Sequence, residues 1–193
     1  MQQADIIQAA AQIFRQKGYN GTSMQDIADA VQLQKASLYH HISGKQEILV
    51  SILDHALDLM IADLEGVIAS DTSPAQQLRQ AMSIYVTRLA EQADLAAVLL
   101  LEHRSLDEAA RASHIKRRDR FESLWRSIIK HGIEAGEFRP QDPRLVTFAL
   151  LGVLNWTITW FRPEGEFSPE QISGLYCDLF LHGLLVRGPE AAD

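Results

Sequence analysis

Three groups of side chains in this 193-residue chain are of types and spacings that recognise other molecules. The first is a polar run near the N-terminus, Gln34, Lys35, Ser37 and His40, whose donors and acceptors suit base edges or phosphates. The second is a basic cluster: Arg104, Arg111, Lys116, Arg117, Arg118 and Arg120. Arginine binds phosphate bidentately, so this cluster suits a polyanionic ligand. It suits equally a solvated helix face on which arginines pair with glutamates, for example Arg118 with Glu122. The third is an aromatic pair, Trp156 and Trp160, one helical turn apart, which suits either an apolar pocket or packing in a core and between subunits.

Enzyme chemistry finds no footing. There is no nucleophile elbow, Ser/His/Asp order, paired carboxylate site or phosphate-cradling loop. Beyond His40-His41, the histidines (His55, His103, His114, His131 and His182) are scattered, and no Cys/His cluster has zinc spacing, so neither a metal nor a cofactor is expected. The single cysteine, Cys177, falls in a helical pattern and reads as a small buried hydrophobe. The net charge of −7 counts against nucleic-acid binding, although binding depends on local rather than total potential.

The elements that must position these groups are all helical. Ala, Leu, Gln, Glu and Arg recur at helical spacing, and strand alternation is absent. Cap signals divide the chain. Thr22…Gln25, Ser43…Gln46, Ser73…Gln76 and Ser168…Gln171 each have capping-box spacing. Pro74, Pro143 and Pro169 follow Ser or Asp at first helical positions, and Gly18, Gly132, Gly136 and Gly165 offer stops. The pattern predicts nine helices: 4–17, 23–31, 35–41, 44–68, 74–92, 95–101, 107–135, 143–161 and 169–186.

In the first helix Ile6, Ala10, Ile13 and Phe14 form one apolar stripe, and Met24, Ile27, Ala28 and Val31 do so in the second. Leu33 sits in the turn, and Leu38 and Ile42 continue the apolar set. Two short helices joined by Gln32-Leu33-Gln34 cross closely only over a small residue, and Ala28 fits. A three-helix core with an ordinary polar face has the same spacing.

The residues Gly18-Tyr19-Asn20-Gly21-Thr22-Ser23, Ile27-Ala28, Ala36-Ser37-Leu38-Tyr39-His40-His41-Ile42 and Lys45-Gln46-Glu47-Ile48-Leu49 together resemble the signature of the tetracycline-repressor (TetR) family. The resemblance covers about the first 50 residues. It implies an all-α, nine-helix fold with a helix-turn-helix DNA-binding domain over 1–46 and a ligand-binding and dimerisation domain over 47–193. It also implies that Thr22 and Tyr39 touch phosphates with His40 nearby, that Lys45 binds a phosphate at the start of the fourth helix, and that Gln25, Gln34, Lys35, Ala36 and Ser37 face bases or backbone. Two positions depart from the family pattern. Gln32 stands where glycine is usual, and Gln34 stands where serine usually caps the third helix. The first 50 residues carry four Lys/Arg against four Asp/Glu, so the head is neutral.

In this family the last two helices form the dimer interface, and the residues here fit. Phe148, Leu151, Gly152 and Asn155 share one face of the eighth helix, while Leu175, Leu179, His182 and Gly183 step along the ninth. The same glycines also fit an intrachain core. A homodimer would place two reading helices in successive major grooves of double-stranded operator DNA, about 34–36 Å apart. The segment from Asn155 to Gly165, with Leu124-Trp125 and Gly136-Glu137-Phe138-Arg139, is similar to the subgroup that represses fatty-acid or sterol degradation and responds to acyl-coenzyme A thioesters. That likeness implies a small hydrophobic effector, a fatty acyl-CoA being the first choice. Arg104, Arg111 and Arg118 would meet its phosphates, and Leu99, Leu100, Phe121, Trp125, Phe148, Asn155, Trp156 and Trp160 would line its pocket. The alternatives are a drug- or metabolite-sensing repressor of an efflux pump and a helical binding module without DNA activity. No apolar run reaches the ~20 residues of a membrane span, and no export signal is evident, so a cytoplasmic location is expected.

Overall fold

Side-chain caps set most helix starts in the computed structural model, which describes residues 3–185. Nine α-helices follow one another among these residues: α1 (Gln3–Lys17), α2 (Met24–Ala30), α3 (Lys35–Leu38), α4 (Lys45–Ile68), α5 (Pro74–Glu91), α6 (Ala93–Leu101), α7 (Glu108–Glu134), α8 (Pro143–Trp160) and α9 (Pro169–Leu184). A 3₁₀ turn that the spacing does not predict, His103–Ser105, follows α6. No strand occurs among the described residues, only one bridge between Phe138 and Leu185. The expected end of α9 at Val186 lies outside the described residues.

Two of the four expected capping boxes form as spaced. Ser73 with Gln76 and Ser168 with Gln171 exchange both bonds, and Asp142 caps α8 ahead of Pro143. The other two shift register. At α2 the cap is Ser23, whose partner is Asp26, because Thr22 is drawn inward to donate its hydroxyl to the Gly18 carbonyl at 2.8 Å. Before α4, Ser43 bonds Glu47 through its amide at 2.7 Å and its hydroxyl at 2.6 Å, while Gln46 reaches the Ser105 carbonyl. In both cases a carboxylate outcompetes the amide, as the stronger acceptor near a helix N-terminus.

The glycines also divide. Gly18 and Gly136 adopt φ of 75° and 76°, the left-handed conformation that ends a helix. Gly132 does not stop α7. It lies inside the helix, and a Cβ there would sit 2.2 Å from the Phe138 ring. Gly165 falls in a turn beyond α8, with its amide on the Arg162 carbonyl.

Two compact units emerge. One contains the described residues up to Leu59 together with Gln92–Asp119; the other contains Met60–Glu91 and the described residues from Arg120. In the first, α1 packs on α6 and α2, and Arg15 pairs with Asp94 at 3.0 Å. Its core near the N-terminus is Ile6, Ala10, Ala11, Phe14, Ile27, Ala28, Leu38 and Ile42. Ala11 takes the buried place expected for Ile13, which is half-buried. In the second, α5 packs on α9 and α8. Cys177 is buried there as expected, its thiol near the Arg79 carbonyl and its pKa raised by burial.

Candidate functional site

The reading head is built around α2 and α3. Ala28 is fully buried at their crossing, and its carbonyl accepts the Leu33 amide at 2.9 Å. Gln32 takes φ 55° in the turn, so a side chain occupies a position that glycine would fill without strain of about 1–2 kcal/mol. Gln34 is the N-cap residue of α3 but makes no side-chain cap bond, which leaves its amide free for another partner. α3 is shorter than expected. After Leu38 the amides of His40 and His41 reach back only three residues, to Ser37 and Leu38, tightening the chain into turns.

The head residues named from sequence separate into exposed and engaged groups. Gln34, Lys35, Ala36, Tyr39 and His40 are exposed and Ser37 half-buried, on the short helix and the turn after it. Gln25 is exposed but donates to Asp29 at 2.7 Å. Thr22 is buried, its hydroxyl proton already given to Gly18. Lys45 donates to the carbonyls of Tyr19 and Thr22, both at 2.7 Å, with its ammonium 4.3 Å from the Tyr19 ring centre. Two of its three protons therefore tie α4 to the loop before α2, leaving one for a phosphate. The same joint is charged on its far side. Hydrogen bonds from Lys17 and Ser23 hold the Asp26 carboxyl well below the usual carboxylate range.

The basic cluster resolves into two chemically different sets. Arg117 pairs with Asp54 and Asp58 of α4, and Arg120 with Glu65 at 2.7 Å. Arg104, Arg111 and Arg118 instead line an open cavity of about 410 Å³, together with His103, His114 and Ile115. Among the described residues none of these three arginines has a carboxylate within ion-pair distance; Glu122, the candidate partner of Arg118, pairs with Arg126. The three are not on one helix, as their seven-residue spacing suggests. Arg104 sits in the 3₁₀ turn, and Arg111 clamps that turn by donating to the Arg104 and Leu106 carbonyls at 3.3 and 2.9 Å. The two histidine rings stack with centroids 6.2 Å apart, and burial together with the neighbouring arginine charges lowers both pKa values. Sequence reasoning missed His103 and His114.

In the second unit Phe121 and Trp125 line a narrow cavity with Met60, Leu64, Tyr85 and the Asp63–Arg88 pair, which is bidentate at 2.7 and 3.0 Å. It closes to about 10 Å³, room for a single water. The remaining aromatic residues expected in the pocket are elsewhere. Phe148, Trp156 and Trp160 are 45%, 67% and 38% exposed on α8, and neither cavity includes them. Their helical spacing suggests an inward stripe, whereas the buried face of α8 is Thr147, Leu150, Leu154 and Thr157. Asn155 accepts a hydrogen bond from the Tyr85 hydroxyl, whose pKa burial pushes up. Leu99 is buried and Leu100 half-buried in α6, in the first unit and outside both cavities.

The residues named for dimerisation present an exposed apolar surface. Leu175 and Leu179 are 59% and 64% exposed, Gly152 and His182 exposed, Leu151 and Gly183 half-buried. A Cβ added at Gly152 or Gly183 would meet nothing within 4 Å, so these glycines serve no close approach inside the chain.

Comparison with known proteins decides the family. The family model described as "Bacterial regulatory proteins, tetR family" matches residues 6–61, and "Tetracyclin repressor-like, C-terminal domain" matches residues 71–184. The chain belongs to the TetR family. Its curated relatives include the HTH-type transcriptional repressor KstR2 of Mycobacterium tuberculosis, 25% identical over 186 residues that cover 95% of this chain and 93% of that protein. Among solved structures, PfmR of Thermus thermophilus superposes with a TM-score of 0.86 at 38% identity, covering 92% of this chain and 97% of its own. AibR in complex with isovaleryl coenzyme A and operator DNA gives a TM-score of 0.85 at 30% identity, covering 91% and 96%. The TetR-like fold and the helix-turn-helix are thereby established, and the chain is a transcriptional regulator of this family; its curated relatives are transcriptional regulators, not enzymes. TetR regulators bind operator DNA, typically as dimers. No helix among the described residues is long and apolar enough to cross a membrane.

Proposed function

We propose that the chain is a dimeric repressor of a pseudo-palindromic operator, released by a fatty acyl-CoA or a related CoA thioester. The observation that carries the effector reading is the open cavity lined by Arg104, Arg111 and Arg118 without a compensating carboxylate. Three guanidinium groups held around one space repel one another until an anion enters, and coenzyme A brings several phosphate charges. AibR, solved with a CoA thioester and operator DNA, lends support through its likeness to this chain. Phe121 and Trp125 are our candidates for the acyl chain; Phe148, Trp156 and Trp160 we assign with Leu175 and Leu179 to the dimer face. An exposed strip of two tryptophans, a phenylalanine and several leucines has the character of an interface, since monomers rarely leave such a surface bare.

We assign operator reading to residues 1–46 and effector binding with dimerisation to 47–193. Gln34, Lys35, Ala36, Ser37 and Tyr39 then face the DNA, and Lys45 spends its third proton on a phosphate. Effector and operator favour different conformers of the dimer, so each weakens the other by the same factor, typically ~1–3 kcal/mol. A gel-shift titration of the dimer on fragments of its own promoter tests this. Long-chain acyl-CoA releases the DNA, while unchanged operator affinity at saturating acyl-CoA overturns the effector assignment. If apolar drugs release the DNA and the arginines prove dispensable, an efflux-type sensor is the answer.

A further inference from the structure

We propose that His103 and His114 belong to the anion-binding surface of the basic cavity, and that they take up protons when a phosphate binds there. The inference rests on the cavity as the seat of the effector's phosphates and adds to it how they are recognised. His114 is only 6% exposed, yet its Nδ1 is buried without a hydrogen-bond partner. A buried polar atom left unpaired is costly, and nothing within the chain explains it. The ring lines the basic cavity with the three arginines, so a phosphate oxygen there can accept from a protonated imidazole, both of whose nitrogens donate.

The surroundings determine which way the histidines titrate. His103 has Arg104 beside it on the 3₁₀ turn, the Leu99 and Leu100 carbonyls of α6 as hydrogen-bond partners, and Arg118 facing it from α7. His114 has Arg117 and Arg118 on its own helix and His103 stacked against it, and Arg111 lines the same cavity. On its other side His114 shares a small cavity with Asp54 of α4, whose carboxylate is already paired with Arg117 at 3.1 Å. Burial first and the cationic neighbours second lower both pKa values. An entering phosphate reverses the second effect and raises both pKa values, so binding takes up protons and strengthens as pH falls. A phosphomonoester carries about −1.5 to −2 charge at pH 7, so it gains more here than a phosphodiester.

Imidazole NMR of the full-length protein between pH 5 and 8 tests this, with inorganic pyrophosphate, coenzyme A and 3′-dephospho-coenzyme A as probes. Pyrophosphate and coenzyme A should raise the pKa values of His103 and His114. Coenzyme A should bind up to about tenfold more tightly per pH unit lowered for each fully coupled proton, and more tightly than its dephospho form. H103Q/H114Q should bind at pH 8 but lose that dependence. Unmoved histidines at saturating probe, or a tightening at lower pH that survives in the double variant, overturns the inference. If coenzyme A binds through the arginines and the histidines do not move, only this inference falls. If pyrophosphate moves them and coenzyme A does not bind, the inference stands and the CoA reading falls. If neither probe binds, both fall.

Discussion

The two cavities are built on opposite principles. The one in the first unit is open and cationic, lined from a 3₁₀ turn and the first half of α7 by side chains that cannot neutralise one another. The one in the second unit is aromatic and nearly shut, and its only charges, Asp63 and Arg88, are already paired. A charged site stays open because guanidinium groups repel and remain hydrated. A lining of three arginines names an anion as the ligand class it suits, whereas an aromatic lining suits apolar groups of many kinds.

That contrast can be broken from either side. Replacing Trp125 by Ala should cost most, about 3–5 kcal/mol, because the fully buried indole packs against Tyr85 and Phe121 and leaves a void. Denaturant unfolding measures it, and a loss below about 1 kcal/mol would mean the cavity already flexes open. The triple change R104A/R111A/R118A should weaken coenzyme A binding on the order of a hundredfold, since each of three solvent-exposed charge-assisted bonds contributes about 1 kcal/mol and about 1.4 kcal/mol is tenfold, while the unfolding midpoint falls only slightly through loss of the Arg111 clamp on the 3₁₀ turn. Calorimetry checks the first half; equal binding by wild type and variant would reduce the cluster to a solvated face. Arg88→Met should cost about 1 kcal/mol, because the pair is partly exposed but bidentate and Asp63 loses its partner.

The smallest effect is the pH dependence of the basic cavity. Folding lowers the pKa values of His103 and His114, so below the unfolded value of about 6.5 the unfolded chain binds more protons. Stability contributed by these two groups is therefore complete above that pH and lost as pH falls through it. Urea midpoints at pH 5.5 and 7.5, compared with those of H103Q/H114Q, isolate the contribution. The variant should show the shallower slope, and an equal slope would assign the pH dependence to other groups.

Local chemistry was readable wherever one residue type dictates one conformation. The prolines of α5, α8 and α9, the Ser73 and Ser168 boxes and the Gly18 stop stand where the sequence places them, because each acts through its own few neighbours. The failures share a cause. Ser23 rather than Thr22 caps α2 because Thr22 is already bonded to Gly18 and Tyr19, and Ser43 turns to Glu47 because a carboxylate competes with Gln46 for the same donor. The placement of the arginines shows the limit more clearly. Arg104, Arg111 and Arg118, named together from the sequence, share a cavity, though the 3₁₀ turn carries the first of them. Periodicity could not tell which face of α8 was inward. Phe148, Trp156 and Trp160 are apolar on a helix whose buried face includes Thr147 and Thr157, and the signal is inverted when a surface is itself apolar. His103 and His114 escaped notice because isolated histidines carry no pattern until a fold stacks them.

The central claim is that Arg104, Arg111 and Arg118 hold the phosphates of a CoA thioester that releases the operator. A crystal structure of the protein grown with a long-chain acyl-CoA tests it most directly. The account predicts phosphate oxygens within hydrogen-bond distance of these guanidinium groups. Acyl-CoA bound with its phosphates elsewhere, and the arginine cavity holding only water, would contradict it.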